Sequence, residues 1–596
     1  MKRLLVFGLL IFPGLVSTAW ALPQRLVIAL DGIAYRDLKR LQEGVTRTNL
    51  WGGVYRWQAF TPAEGYFPVS RLVSTFPSTS DVAWTDIFGN RPLPGYQRTY
   101  YSVAANAEIS ENGLTTTMEH ERQMQWETED NFVRSMGYVY SVHTFEYELF
   151  QMTQYFLHTD STNQDYYAYI RSSDDAQHMS RDVLGMLVTL DRTLQDLRAR
   201  YRAREGRDLQ IVILSDHGHN HAGRGRRTPI RSYLANAGYH LTKSITGPGD
   251  VVLPTSGIED WIEIHSSPEE TEALAELLAR LEGADIVAAR LPGRDQRFLV
   301  LNSKGERAVI GWEPAKNIFQ YSTEKGDPLG YRPVVEALAR AGKLDAKGFA
   351  TADDWMSETM TNQYPLALQR IVRGLTRVTL NPATILVSLN NHYVNDGWLV
   401  NEGSKLESYG STHGALDDIN SVGMVLSNFK PTHDTSSDRV AGMFDDFPGL
   451  RNYRREENGA EWVVKKEQAM TRIPRDAYDR EYKSLPDNGV FLRVWSPQLA
   501  GTGNATLEAS LVQTSDFADP QGSMQPRITH ERRLSFGPPV ALENCPYERI
   551  YACPPDLGLQ PFTAYQISGW ICHGDKNAGT FQLDFHTDKD GRPTGY

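Results

Sequence analysis

Cysteine is scarce: the 596 residues contain three. Three thiols cannot staple a chain of this length, so burial, with or without a metal, must hold it together. The 48 glycines and 31 prolines are too few for a collagen-like or low-complexity chain. Positive charge is in deficit, with 61 Lys and Arg against 73 Asp and Glu and a net charge of −12. A protein that coats nucleic acid needs clustered cations to neutralise phosphates. The balance speaks against that class, though not against a local basic pocket for a small anion. Beyond the N-terminus no stretch approaches 18 uncharged apolar residues, so no transmembrane segment is expected in the mature form. The rest, 40% hydrophobic and 22% charged, is the composition of a soluble globule with room for several domains.

Lys2 and Arg3 precede an apolar run from Leu4 to Val16. Ala19-Trp20-Ala21 then ends on small residues at the two positions a signal peptidase reads. This is the pattern of a secretory signal peptide, cleaved after Ala21, and it predicts a periplasmic or secreted protein. In such an oxidising compartment Cys545, Cys553 and Cys572 are free to pair in any combination.

Leu26 to Leu30 and Ile211 to Leu214 are short continuous apolar runs, the pattern of strands buried on both faces in a mostly parallel sheet. Between them Val183, Leu187, Leu190, Leu194 and Leu197 form one apolar stripe on a helix that a glycine, Gly206, stops. Alternating strand and helix patterns define an α/β core. From about Tyr239 the character changes. Val251 to Ile264 reads as strand. Ser267-Pro268-Glu269-Glu270 then predicts a capped helix start with Pro at the first position. Two further strands flank the Asn302-Ser303-Lys304-Gly305 turn, and residues 315–380 read as more helical. Ile385 to Leu389 and Val422 to Leu426 return to the buried-strand pattern. Past residue 480, turn residues separate short apolar runs, which suggests a β-rich domain. The expected division is a signal peptide (1–21), a first core segment (22–240), an inserted α+β and helical subdomain (241–380), a last core segment (381–435), a linker (436–479) and a β-rich C-terminal domain (480–596).

Four polar clusters sit where ligands bind in such sheets, outside the carboxyl ends of strands. Asp31 ends the first buried run, and Asp216-His217-Gly218 ends the second. Asp174 and His178 are spaced to share one helix face. His413 precedes the last core strand. Three Asp and three His without a Cys suit divalent ions such as zinc. Six ligands fit two ions better than one, and a pair about 3.5–4 Å apart clamps an in-line displacement at phosphorus. Ser78-Thr79-Ser80, just before a helix expected from Asp81, supplies hydroxyl nucleophiles beside free N–H groups. Arg224, Arg226 and Arg227 are candidates for contact with a substrate anion but read more readily as a solvated loop. His219 and His221 read either as groups supporting the ligands or as surface positions.

The order Asp31, Pro77-Ser78-Thr79-Ser80-Asp81-Val82-Ala83-Trp84, Asp174…His178, Asp216-His217-Gly218 and His413-Gly414 resembles the alkaline phosphatase superfamily, and most closely its type I phosphodiesterase/nucleotide pyrophosphatase branch. The resemblance spans about residues 25–240 and 380–430. It implies an alkaline-phosphatase-like core with a mostly parallel sheet flanked by helices. It also implies one metal at Asp174, His178 and His413, and the other at Asp31, Asp216, His217 and the nucleophile oxygen. A gapless match places the nucleophile at Ser80, whereas counting back from Gly89 places it at Thr79. The Asn that accompanies the nucleophile in diesterases of the branch has no counterpart here, and the sulfatase signature is absent. The expected function is hydrolysis of a small phosphate ester at two divalent ions, Zn2+ foremost. The alternatives are a phosphotransferase or phosphomutase on the same scaffold, or a non-catalytic metal-containing envelope binding protein.

Overall fold

The computed structural model describes residues 22–48, 53–90, 92–110, 119–122, 124–128, 140–159, 165–179, 182–223, 225–254, 257, 259–293, 296–395 and 410–444, and, in the C-terminal part, 459–466, 469–470, 490–495, 506–515, 527–536, 539, 548–553, 557–561, 563–573, 576–587 and 591–594. The expected signal peptide, Arg224 and Cys545 lie outside the described residues.

Six strands form the core sheet, in the order Thr435–Ser436, Ser70–Val73, Val422–Ser427, Gln210–Leu214, Arg25–Leu30 and Asp165–Ile170. All run one way except Val422–Ser427, which is antiparallel to both neighbours. Helices cover both faces, which is why the strands read as unbroken apolar runs. Leu26, Ile28 and Leu30 join the core made with the helices Tyr35–Glu43, Ser141–His158 and Val183–Glu205. Val27 and Ala29, pointing the other way, meet Trp84 and Ile87 of the helix Ser80–Ile87. Each buried Leu, Ile or Val contributes about 1.5–3 kcal/mol. The Val183 stripe is helical as expected, and the helix ends where Gly206 takes a left-handed φ of 69°.

A second sheet of nine strands lies within the segment 240–389, in the order His240–Thr242, Asp250–Val252, Trp261–Ser266, Ile385–Leu389, Ala284–Arg290, Arg297–Asn302, Arg307–Glu313, Ile318–Lys325 and Ala350–Thr351. Ile385–Leu389, expected in the core sheet from its apolar run, instead pairs antiparallel with Trp261–Ser266 and Ala284–Arg290. Its side chains are buried on both faces in either setting, so the pattern does not distinguish the two sheets. The helix expected at Ser267-Pro268 begins later, at Thr271. The Glu270 carboxylate that would have completed the cap accepts from the Gly249 N–H and the Ser267 hydroxyl instead. One face of this sheet shares a core with Phe76, Val82 and Leu416. Those residues flank the Ser78–Ser80 segment and His413, so the second sheet is packed directly behind the polar clusters.

The C-terminal part is β-rich. One sheet holds Gly459–Lys466, Val490–Trp495 and Glu548–Ala552, and the other holds Arg527–Phe536, Thr506–Ser515, Ala564–His573 and Lys576–Thr587. Leu492, Val494 and Tyr551 from the first meet Leu507, Ile567 and Phe585 from the second in one core. Among the described residues no helix is long and apolar enough to cross a membrane.

Candidate metal centre

Three neighbouring parallel strands end at one edge of the core sheet, because Leu30 pairs with Ile170 and Ala29 with Leu214. Asp31 directly follows the first, Asp216 lies two residues beyond Leu214, and the helix Ser172–His178 opens two residues beyond Ile170. The helix is pinned to the Asp31-Gly32 turn: the Ser173 hydroxyl donates to the Asp31 carbonyl at 2.7 Å, and Gln177 Nε2 donates to the Gly32 carbonyl at 2.6 Å. Gly32 has φ +72°, and a Cβ there would stand 2.7 Å from Asp174 Oδ1, so a side chain is excluded both by conformation and by space. His413 arrives from the loop before Asp418–Ser421 and is tied to the hydroxyl segment. Ser78 N–H donates to the Gly414 carbonyl at 3.1 Å, and the Ser78 hydroxyl donates to the Ala415 carbonyl at 3.1 Å.

The structure brings all six ligand candidates together, in two buried clusters. Asp174, His178, His219 and His413 form one, and Asp31, Asp216 and His217 the other, with donor atoms of each cluster within 4.8 Å of one another. His178 Nε2 stands 3.3 Å from Asp174 Oδ2, as the shared helix face requires. His217 Nε2 lies 3.3 Å from Asp216 Oδ2 and 3.6 Å from Asp31 Oδ1. The clusters adjoin, since the His217 and His413 rings stack with centroids 3.8 Å apart.

The hydrogen bonds set the imidazoles for metal binding. Nδ1 of His178 donates to the Ser411 carbonyl at 2.9 Å, that of His413 to the Ser78 carbonyl at 3.0 Å, and that of His217 to the Gly218 carbonyl at 3.1 Å. Each bond fixes the tautomer and turns the Nε2 lone pair inward, as in ligating histidines generally. The Gly32 N–H donates to Asp216 Oδ1 at 3.1 Å, and the Tyr169 hydroxyl donates to Asp31 Oδ2. Asp216 Oδ2 is fully buried and accepts no hydrogen bond. A buried carboxylate oxygen without a partner is costly, and a cation would satisfy it.

Electrostatics point the same way. Burial, then Asp216 and Asp174, push the Asp31 carboxyl well above its usual range. Burial pushes Asp216 up to about 7, with Asp174 adding to it. Burial would also raise Asp174, but His178 and His219 beside it hold its carboxyl well below the ordinary value. Burial drives His217 down to about 4 and His413 well below its usual range, so both are neutral imidazoles at pH 7. Burial would lower His178 too, but Asp174 raises it to about 9, so an ion bound there would have to displace the proton on Nε2. Three carboxyls crowded into one dry space repel one another, and divalent cations relieve that repulsion. The donor set of Asp and His fits such ions.

The helix expected from Asp81 begins at Ser80, with Thr79 as its N-cap residue. This start turns the two hydroxyls differently. Ser80 Oγ lies 3.3 Å from Asp31 Oδ1 and 3.2 Å from His217 Nε2. The Thr79 hydroxyl is buried and has no hydrogen-bond partner. Arg226 and Arg227 stand exposed in a short pairing with Tyr393–Val394, outside the clusters. His221 is half-buried, with Nε2 3.8 Å from Asp37 Oδ2. His219 is within the first cluster. The extended chain alternates its side chains, so His217 and His219 share a face while Gly218 packs against the Ile419 carbonyl.

Two contributors carried no local sequence signal. Tyr169 comes from the edge strand. Asp260, at the entry to Trp261–Ser266, accepts from the Ala415 N–H at 2.6 Å and from Asn220 Nδ2 at 3.1 Å. It thereby fastens the second sheet to the His413 loop.

Residues 27–305 match the family described as type I phosphodiesterase / nucleotide pyrophosphatase. The matched stretch holds Asp31, Thr79, Ser80, Asp174, His178, Asp216 and His217 and stops before His413. Just under half of the chain is thus similar to this family, in the stretch that holds all but the last of the ordered motifs. No curated protein matches the chain by sequence. Among solved structures it is similar to murine ectonucleotide pyrophosphatase / phosphodiesterase 5, at 9% identity over 71% of this chain and 94% of that one, with a TM-score of 0.36. The human counterpart matches at 10% identity over 71% and 94%, with a TM-score of 0.35. Phosphonoacetate hydrolase from Sinorhizobium meliloti 1021, in complex with phosphonoformate, matches at 12% identity over 73% and 94%, with a TM-score of 0.36.

Proposed function

We propose that this chain is an exported hydrolase of small phosphate esters that works through the Ser80 hydroxyl and two divalent ions, zinc foremost. One ion is assigned to Asp174, His178 and His413, the other to Asp31, Asp216, His217 and Ser80. The observation that carries the reading is the position of Ser80 Oγ between Asp31 and His217, beside the stacked His217 and His413 rings. When bound, the ions supply charge stabilisation for the nucleophile, the transferred phosphoryl group and the leaving oxygen. The residues do the rest. Asp31 Oδ1 and His217 Nε2, 3.3 and 3.2 Å away, orient the Ser80 hydroxyl, and its proton passes to water because their own lone pairs would be taken by the ion. Ser80 Oγ attacks phosphorus in line, the phosphorus–oxygen bond to the leaving group breaks, and a phosphoseryl enzyme forms. Water then cleaves the serine–phosphorus bond and restores the hydroxyl. Burial of the clusters strengthens every one of these interactions. The N-terminal pattern supports export.

The test joins metal analysis to turnover. The purified mature protein is expected to hold two divalent ions per chain and to cleave p-nitrophenyl phosphate mono- or diesters. Ser80→Ala should abolish turnover and Thr79→Ala should retain it. Full activity in Ser80→Ala would refute the nucleophile assignment. Fewer than one ion per chain after zinc loading would refute the two-metal reading. Two bound ions with no turnover of any ester would favour a binding protein.

A further inference from the structure

We infer that His219 is a fourth protein ligand of the ion assigned to Asp174, His178 and His413, and that this makes that site the tighter of the two. The inference rests on the reading of the two clusters as metal sites and deepens it. His219 Nε2 lies 2.6 Å from Asp174 Oδ1. His413 Nε2 lies 3.7 Å from the same oxygen, and His178 Nε2 3.3 Å from the other. Ligands about 2.0–2.1 Å from a tetrahedral zinc stand about 3.3–3.4 Å apart, and these separations bracket that value. The His219 ring makes edge contacts with the rings of His178 and His413, at centroid distances of 4.9 and 5.0 Å. All three imidazoles therefore close on one point rather than lying side by side.

The position of His219 is fixed as firmly as those of its neighbours. Nδ1 is 2.9 Å from the Ser411 hydroxyl, on the segment whose carbonyl orients His178. Its carbonyl accepts from the Arg36 guanidinium. The next residue, Asn220, donates its N–H to the Thr412 carbonyl at 3.0 Å and its side-chain amide to the Thr412 hydroxyl at 2.8 Å. The backbone at 219 is thus clamped to the loop that delivers His413. A Cβ on Gly32 would stand 3.0 Å from His219 Nε2, so the same glycine that clears Asp174 clears this ring. One Asp and three His would bind the ion with no position left over in a four-coordinate shell. A substrate oxygen would have to enter as a fifth ligand there, which makes the ion's role electrostatic and anchoring. The other cluster, with two Asp and one His, keeps a position for Ser80.

Zinc K-edge X-ray absorption on the full chain loaded with one equivalent of zinc tests this by counting imidazoles. Three imidazoles per zinc are expected in the wild type and two in both His219→Ala and His219→Gln. Chelator competition should show zinc held at least 100-fold more weakly in the variants, above the effect of about 10–100-fold that loss of a supporting hydrogen bond produces. Two or fewer imidazoles in the wild type overturn the inference. That count would mean that His219 Nε2 donates to Asp174, with the Ser411 hydroxyl donating to Nδ1, or that the other site fills first. No bound zinc at all would overturn the two-metal reading along with it. Two ions bound with the lower count would leave that reading standing and remove only His219.

Discussion

Asp260 offers the sharpest test of how the second sheet serves the site. Its carboxyl is fully buried and accepts from the Ala415 N–H at 2.6 Å and Asn220 Nδ2 at 3.1 Å, with the Thr412 hydroxyl 3.4 Å away. Ala415 lies two residues after His413, and the Asp260 N–H itself donates to the His413 carbonyl at 3.2 Å. Asp260→Ala strands the buried Ala415 N–H, at a cost of about 1–3 kcal/mol, and takes one partner from the half-buried Asn220 amide, which keeps the Thr412 hydroxyl, at about 0.5–1.5 kcal/mol. The total is about 1.5–4.5 kcal/mol, expressed partly as lower stability and partly as release of the His413 loop. If only about 1.4 kcal/mol of it appears as misplacement of His413, turnover falls about tenfold. Asp260→Asn keeps an oxygen for the Ala415 N–H but presents its amide to that of Asn220, so it should lose about half as much. The assay is kcat on p-nitrophenyl esters, with zinc content and thermal unfolding measured on the same samples. Wild-type kcat and full zinc content in Asp260→Ala, with only the melting temperature reduced, would refute the positioning argument.

Further outcomes follow from the same contacts. Gly414→Ala places a side chain at φ +119° against the Trp261 ring, and it should reduce zinc content and activity together in a protein that still folds by circular dichroism. Chelation of the metals should abolish turnover and lower the melting temperature, with zinc restoring both, because unmatched carboxyls then remain in the core. Glu148 accepts from the Ser172 N–H at 3.2 Å at the start of the Asp174–His178 helix, and burial pushes its carboxyl up to about 7 from an ordinary 4.5. A raised carboxyl adds stability below pH 4.5 that is lost as pH rises through 7, a change of about 3 kcal/mol at full burial. Glu148→Gln should therefore gain stability relative to the wild type as pH rises from 4.5 to 8, measured by denaturant unfolding. An unchanged difference across that range would contradict the assignment.

Much of the fold was legible because burial on both faces writes an unbroken apolar run. Leu26 to Leu30 and Ile211 to Leu214 are core strands for that reason. The same signal says nothing of direction or partner. Val422–Ser427 runs against its neighbours, and Ile385–Leu389 belongs to the other sheet, because a doubly covered strand looks alike in each setting. The Ser267 cap misled because Glu270 had a stronger use at Gly249, which lies far from it in sequence. At the site, strand-end acids and the four-residue spacing of Asp174 and His178 are local features. The contrast between Ser80 and Thr79 was not local. It depends on where the helix begins, which counting to Gly89 could not fix. His219 read either as a group supporting the ligands or as a surface position, because its approach to Asp174 is a tertiary contact. Tyr169 and Asp260 reach the site through tertiary contacts alone, which leave no mark on neighbouring residues.

On the proposed mechanism Ser80 carries the phosphoryl group during turnover. Acid quenching of the zinc-loaded enzyme in steady state, followed by peptide mass spectrometry, measures this directly. The expected result is a phosphorylated peptide with the modification on Ser80, absent from Ser80→Ala. A modification on Thr79, or steady turnover with no trapped adduct on either hydroxyl, would contradict it.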